Sequence, residues 1–166
     1  MNKRALFCVD PGGSSGVAWA VVDIDAPTVR EAMVTRQFSG SVTVDGRDEL
    51  IHINKIVSHF AQWVKLIDIG TADEIAHVDL CIEDWQPHGA RSKEGSSPAR
   101  IGWGLVGWLH GLGWGSDINV VWIQPSAQRH ATQARLRPME AWIVGKGHER
   151  AAHALMVERL HKLMGS

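Results

Sequence analysis

Only two cysteines, Cys8 and Cys81, occur in the 166 residues, and both lie in apolar runs. That pattern suits reduced, buried thiols and argues against a disulfide framework or redox chemistry. Long hydrophobic stretches are missing too. The apolar runs fall well short of the ~18 residues a membrane span needs, and Asp10 interrupts the first of them too early for a signal-peptide core. The expected location is therefore the cytoplasm, with no membrane partner. Excess charge of either sign is also absent. The 17 Lys and Arg against 18 Asp and Glu leave a net charge of −1, so no global attraction toward a polyanion operates. No internal repeat or coiled-coil heptad is present. With 45% hydrophobic residues, a chain of this length is expected to form a single domain, 1–166, with a sizeable core.

Charge is uneven locally. Between Trp85 and Arg137 the basic residues are Arg91, Lys93, Arg100, Arg129, Arg135 and Arg137, whereas the only acids are Glu94 and Asp117. Such a stretch can form a phosphate-facing surface. An ordinary solvated face would have the same composition.

Hydrophobic periodicity organises the chain. Ala5 to Val9 reads as a strand ending at Asp10-Pro11-Gly12-Gly13, and Gly16 to Ile24 as a returning strand. After a turn at Asp25-Ala26-Pro27, a third strand is expected over Val29 to Phe38, completing an antiparallel meander. From Asp48, a suitable N-cap, Ile53, Ile56, Val57, Phe60 and Val64 recur at helical spacing to about Leu66. Val78 to Ile82 is a short strand ending in Glu83-Asp84, followed by a polar loop rich in Gly, Ser and Pro. Ser96-Ser97-Pro98 opens a helix carrying Ile101, Leu105, Val106 and Leu109. Asn119 to Ile123 is a fifth strand, and the last helix begins near Gly147 with Ala152, Leu155, Met156, Leu160 and Leu163 on one stripe. Strands joined by turns pair antiparallel, and strands separated by helices pair parallel through right-handed crossovers. The expectation is an α/β fold: a mixed five-stranded sheet, three antiparallel strands then parallel ones, flanked by helices.

In that topology Asp10 and Glu83 end adjacent central strands at the same edge. Two converging carboxylates offer hard oxygen donors for Mg²⁺ or Mn²⁺, the ions that activate water and stabilise the leaving oxygen in phosphoryl displacement. The glycines at 12, 13 and 16 let the backbone turn sharply beside the carboxylate and let a phosphate approach closely. A simple hairpin turn would use the same residues.

At this point the sequence resembles a known family. CVDPGGSSGVAWAVV is similar to the first strand and hairpin of RuvC-type Holliday junction resolvases of the RNase H-like superfamily. CIEDWQP resembles their second acidic strand, with Glu83 as the counterpart and Asp84 its neighbour. SSPARIGWGLVGWL and VVWIQPSAQRHAT resemble the following helix and the fifth strand. The likeness spans nearly the whole chain, and the SPxRI, QPS and LRPMEAW…GKGHER segments bring it nearest to short RuvC-like proteins carried by bacteriophages. It implies an RNase H-like fold, a structure-selective endonuclease acting on four-way junctions or other branched DNA, two Mg²⁺ or Mn²⁺ ions, a two-fold homodimer, and the host-cell cytoplasm as the workplace of a phage-encoded protein.

The resemblance also exposes a departure. The family carries two further metal ligands one turn apart on the last helix, His or Asp, then Asp followed by Ala. Here the run is His148-Glu149-Arg150-Ala151-Ala152-His153. Aligning His148 with the first ligand places Ala151 at the position of the expected aspartate. Under one reading Ala151 replaces that aspartate, natively or by design, leaving a chain that binds DNA but is impaired in cutting it. Under the other the ligands have shifted, and Glu149 with His153 completes the site.

DNA contacts are expected from Arg91, Lys93, Arg100, Arg129, Arg135, Arg137 and Lys146, which flank this site in sequence. Trp85 and Trp103 are stacking candidates at an unpaired base, although most of the eight tryptophans belong by default to the core or an interface. The helix Ser97 to Gly111, with Trp103, Trp108 and glycines at 102, 104 and 107, offers a flat apolar surface for dimer pairing; a face buried against the sheet would need the same residues. A sugar kinase or ATPase of the actin type also places Asp-x-Gly after its first strand, but needs two such domains. A non-catalytic branched-DNA binding module, an RNase H-type enzyme and a flap nuclease remain as alternatives.

Overall fold

The computed structural model describes residues 2–45, 48–71, 75–84, 97–111, 118–124 and 147–165, with 68–71, 75–77 and 97 described by backbone alone. Five strands form one sheet in the order β3-β2-β1-β4-β5: β1 (Lys3–Asp10), β2 (Ser14–Asp23), β3 (Gln37–Asp45), β4 (Ile75–Glu83) and β5 (Ile118–Ile123). β1 pairs antiparallel with β2, and β2 with β3. β4 lies parallel to β1 on its other side, and β5 parallel to β4. The expected mixed sheet is therefore present. The helices are α1 (Val29–Val34), α2 (Glu49–Thr71), α3 (Ser97–Gly111) and α4 (Gly147–Met164).

The third strand lies elsewhere than periodicity suggested. Val29–Val34 is a short helix, and the strand follows it at Gln37–Asp45. Thr28 explains the difference. Its Oγ1 accepts the Glu31 amide at 3.2 Å while its hydroxyl donates to the Glu31 carboxylate at 2.8 Å, a reciprocal cap that starts a helix. Val29, Ala32 and Met33 are the buried residues, the i, i+3, i+4 spacing of a helical face. β3 is polar and largely exposed along its first half, as an edge strand can be.

β1 is buried on both faces, which is why it reads as a continuous apolar run. Ala5, Phe7 and Val9 enter a cluster with Phe60, Trp63, Leu80, Ile82, Ile101 and Leu105 beneath α2 and α3. Leu6 and Cys8 enter the opposite cluster with Ala18, Cys81, Leu155, Met156 and Leu160 beneath α1 and α4. Cys8 and Cys81 are register partners, fully buried and unbridged. Burial pushes the Cys8 thiol well up, and its hydrogen bond with Cys81 adds to this. No described helix is long and apolar enough to cross a membrane.

α3 lies with its inner face on the sheet and on α2. A Cβ on Gly102 would press on Ile82 and Trp122 at 3.2 Å, and one on Gly104 would meet the Ile53 side chain at 2.5 Å. Gly102, Gly104 and Trp108 thus serve packing within the chain, whereas Trp103 stays 65% exposed.

Candidate metal and nucleic-acid site

Alternation along the strands brings the candidate carboxylates to one face. Leu6, Cys8 and then Asp10 follow one another on the α4 side of β1, and Cys81 and then Glu83 do so on β4. The last register pair between these parallel strands is Val9 with Ile82, so Asp10 and Glu83 stand one step beyond it, side by side. Asp84 falls on the other face. Its amide bonds the Ile123 carbonyl at 2.8 Å, and its carboxylate accepts from Gln124, which directs it toward β5.

Asp10 leads into a tight turn. The Gly12 amide donates to Oγ of the buried Ser15 at 3.2 Å, and the Ser14 hydroxyl bonds Asp45 on β3. This folds residues 11–14 back beside the carboxylate while Gly13 stays exposed.

The first turn of α4 supplies the third group. His148 Nδ1 lies 3.3 Å from Asp10 Oδ2, with the imidazole 51% exposed and the carboxylate 16% exposed. Ala151, one turn on, is partly buried and brings only a methyl group. Glu149 and His153 do not join this group. The Thr43 hydroxyl on β3 donates to Glu149 Oε1 at 3.2 Å, holding that carboxylate at β3, with β2 and β1 between it and β4. His153 is 1% exposed, inside the protein. Burial, aided by the charge of Arg36, pulls its pKa down to about 4. Of the shifted-ligand pair, Glu149 is thus bonded toward β3 and His153 is buried in the core.

Among the described residues, no three His, Cys, Asp or Glu side chains are drawn together closely enough to hold a metal ion. The contact that is made is between the Asp10 carboxylate and the His148 imidazole, 3.3 Å apart, and Glu83 ends the neighbouring strand β4. Carboxylate oxygens and an imidazole are donor types that a divalent cation such as Mg²⁺ or Mn²⁺ accepts.

Of the basic residues, Arg100 is described. It makes a forked ion pair with Glu49, Nε to Oε2 at 2.8 Å and Nη2 to Oε1 at 2.6 Å, joining the first turns of α3 and α2 on the exposed surface. Both helices begin at the end of the sheet that carries Asp10, on its other face. Arg91, Lys93, Arg129, Arg135, Arg137, Lys146 and Trp85 lie outside the described residues. Trp103 rests one ring face on Trp122, with centroids 4.8 Å apart and a tilt of 37°. Sequence reasoning gave no signal for Thr43, whose hydroxyl bonds Glu149, or for the close backbone approach of α4 at Gly16. Glycine after a strand looks like any turn residue, and Thr43 lies on the strand that was misplaced.

No family model matches the sequence, and no curated protein does. Solved structures do match. RuvC of Thermus thermophilus superposes with a TM-score of 0.57 at 13% identity, over 97% of this chain and 96% of that one. T. thermophilus RuvC in complex with a Holliday junction substrate gives 0.54 at 13% identity, over 98% and 96%. The chain shares its fold with RuvC.

Proposed function

We propose that this protein is a metal-dependent, structure-selective endodeoxyribonuclease that resolves four-way DNA junctions or related branched DNA. The observation carrying the proposal is the position of Asp10 and Glu83 at the ends of adjacent parallel strands, one step past the Val9–Ile82 pair, with His148 reaching Asp10. The shared fold with a RuvC that was solved on a Holliday junction supports the choice of substrate. A bound divalent cation would supply an activated water and charge stabilisation for the leaving oxygen of an in-line displacement. Asp10 and Glu83 would hold it, and His148 would fix the Asp10 carboxylate and add a nitrogen donor. The turn leaves Gly13 exposed with open space around it, room for a phosphate near Asp10. In a two-ion site the second position needs a further carboxylate, which Ala151 does not provide, so the chain is expected to bind branched DNA better than it cuts it.

Because a junction presents two symmetric strands, the working unit in this proposal is a two-fold dimer, with the exposed side of α3 around Trp103 as its contact. The resemblance of several segments to short phage-encoded proteins favours a phage-borne enzyme acting in the host cytoplasm.

The test compares the parent with Ala151→Asp on four-way junction, RNA–DNA hybrid and flap substrates in Mg²⁺ or Mn²⁺. Junction cutting should rise on the order of 100-fold, the several kcal/mol a well-held metal contributes. No gain would sink the missing-ligand idea. Junction binding that persists in EDTA with no nicking under any metal, in both proteins, would favour a non-catalytic binding module.

A further inference from the structure

Gly16 pairs with Asp10 across β1 and β2, and with Thr43 across β2 and β3. The three residues form a row across the end of the sheet, under the start of α4. A Cβ on Gly16 would stand 1.8 Å from the His148 carbonyl oxygen, 2.1 Å from its carbonyl carbon and 2.8 Å from the Glu149 nitrogen. These are backbone atoms, so no change of rotamer could relieve the overlap. The helix rests directly on the β2 backbone. On one side of this seat the Thr43 hydroxyl donates to Glu149 at 3.2 Å. On the other, His148 Nδ1 lies 3.3 Å from Asp10.

We infer that Gly16 and Thr43 are positioning residues for the Asp10–Glu83–His148 site. The bare Gly16 backbone sets the height of the first turn of α4 and the Thr43–Glu149 bond sets its rotation. Together they decide where the imidazole of His148, and position 151 one turn on, stand relative to Asp10. The functional consequence rests on the nuclease reading above; the placement itself is measurable without it. A side chain at 16 must lift the turn and carry His148 away, and a displacement of about 1 Å can cost a reaction on the order of 100-fold. The remainder of α4 is anchored separately by Arg159 on Asp79 at 2.8 Å and by the buried Leu155, Met156 and Leu160, which confines the lift to the start of the helix.

Gly16→Ala and Thr43→Val, each made in the parent and in the Ala151→Asp background, test the inference. Three quantities are read: hydrogen exchange along α4, Mn²⁺ affinity by calorimetry, and kcat and KM on a four-way junction. Gly16→Ala should keep the exchange protection of residues 155–160 and lose it at 151–154. It should bind Mn²⁺ about tenfold more weakly and lose kcat on the order of 100-fold with little change in KM. Thr43→Val should move each quantity the same way by less. Unchanged exchange at 151–154 together with unchanged Mn²⁺ affinity in both variants overturns the inference. If Gly16→Ala fails to fold, Thr43→Val decides, since it removes a single hydroxyl. Failure of the nuclease reading looks different: proteins with Gly16 intact bind no Mn²⁺ and cut no branched DNA, while the exchange change still appears.

Discussion

Arg159 meets Asp79 at 2.8 Å inside the protein, toward the opposite end of α4 from His148. Asp79 is fully buried and also receives Arg4 at 3.3 Å and Asn119 at 2.9 Å, so β1, β4, β5 and α4 share one carboxylate. Removing the shared carboxylate leaves two partly buried guanidinium groups without their counter-charge. Asp79→Ala should therefore lower the unfolding free energy by about 3 kcal/mol, read from urea denaturation.

At the other end of the helix the expected losses are functional. Asp10→Asn in the Ala151→Asp background should cut junction cleavage on the order of 1000-fold, with the thermal midpoint preserved. His148→Ala should cost about 10- to 100-fold, the usual effect of losing a group that orients a metal-binding carboxylate. Single-turnover rates on a pre-bound junction give both numbers.

Acid should destabilise the fold through His153. The native state keeps this histidine neutral down to about pH 4, whereas the unfolded chain takes up the proton near pH 6.5. Its contribution is complete above pH 6.5 and is lost as the pH falls toward 4, in total about 3 kcal/mol. Burial is the first cause and the neighbouring Arg36 charge the second. His153→Leu should flatten the stability profile across that interval, measured by denaturant titration at several pH values.

Arg100 separates a surface ion pair from a DNA contact. Its bond to Glu49 is exposed, so Arg100→Ala should leave the thermal midpoint unchanged. If the guanidinium exchanges Glu49 for a phosphate, the same variant should lower the slope of log affinity against log salt by about one.

The mixed sheet, with Asp10 and Glu83 at the ends of the adjacent parallel strands β1 and β4, was legible because both are apolar strands that end in a carboxylate. The segment from Val29 was not, since three β-branched or bulky apolar residues near a turn look alike in a strand and in a capped helix; the Thr28–Glu31 reciprocal bond decided it. Edge strand β3 lacks the alternation of a half-buried strand and gave no signal. His148 was singled out through resemblance rather than spacing, and the close approach of its backbone to Gly16 is announced by no pattern of side chains.

The parallel register of β1 with β4, running from Ala5 with Val78 to Val9 with Ile82, acts as a reading frame for the site. Side chains in a strand alternate faces, so one residue inserted into β4 would turn Glu83 toward α2 and α3 while leaving its chemistry untouched. Substitutions among the buried residues between Ala5 and Val9 alter volume; a single insertion or deletion there alters which side of the sheet the carboxylate serves. The relative placement of the two acids is thus protected by backbone pairing, which tolerates exchange of one buried apolar residue for another along these strands but not a change in their length.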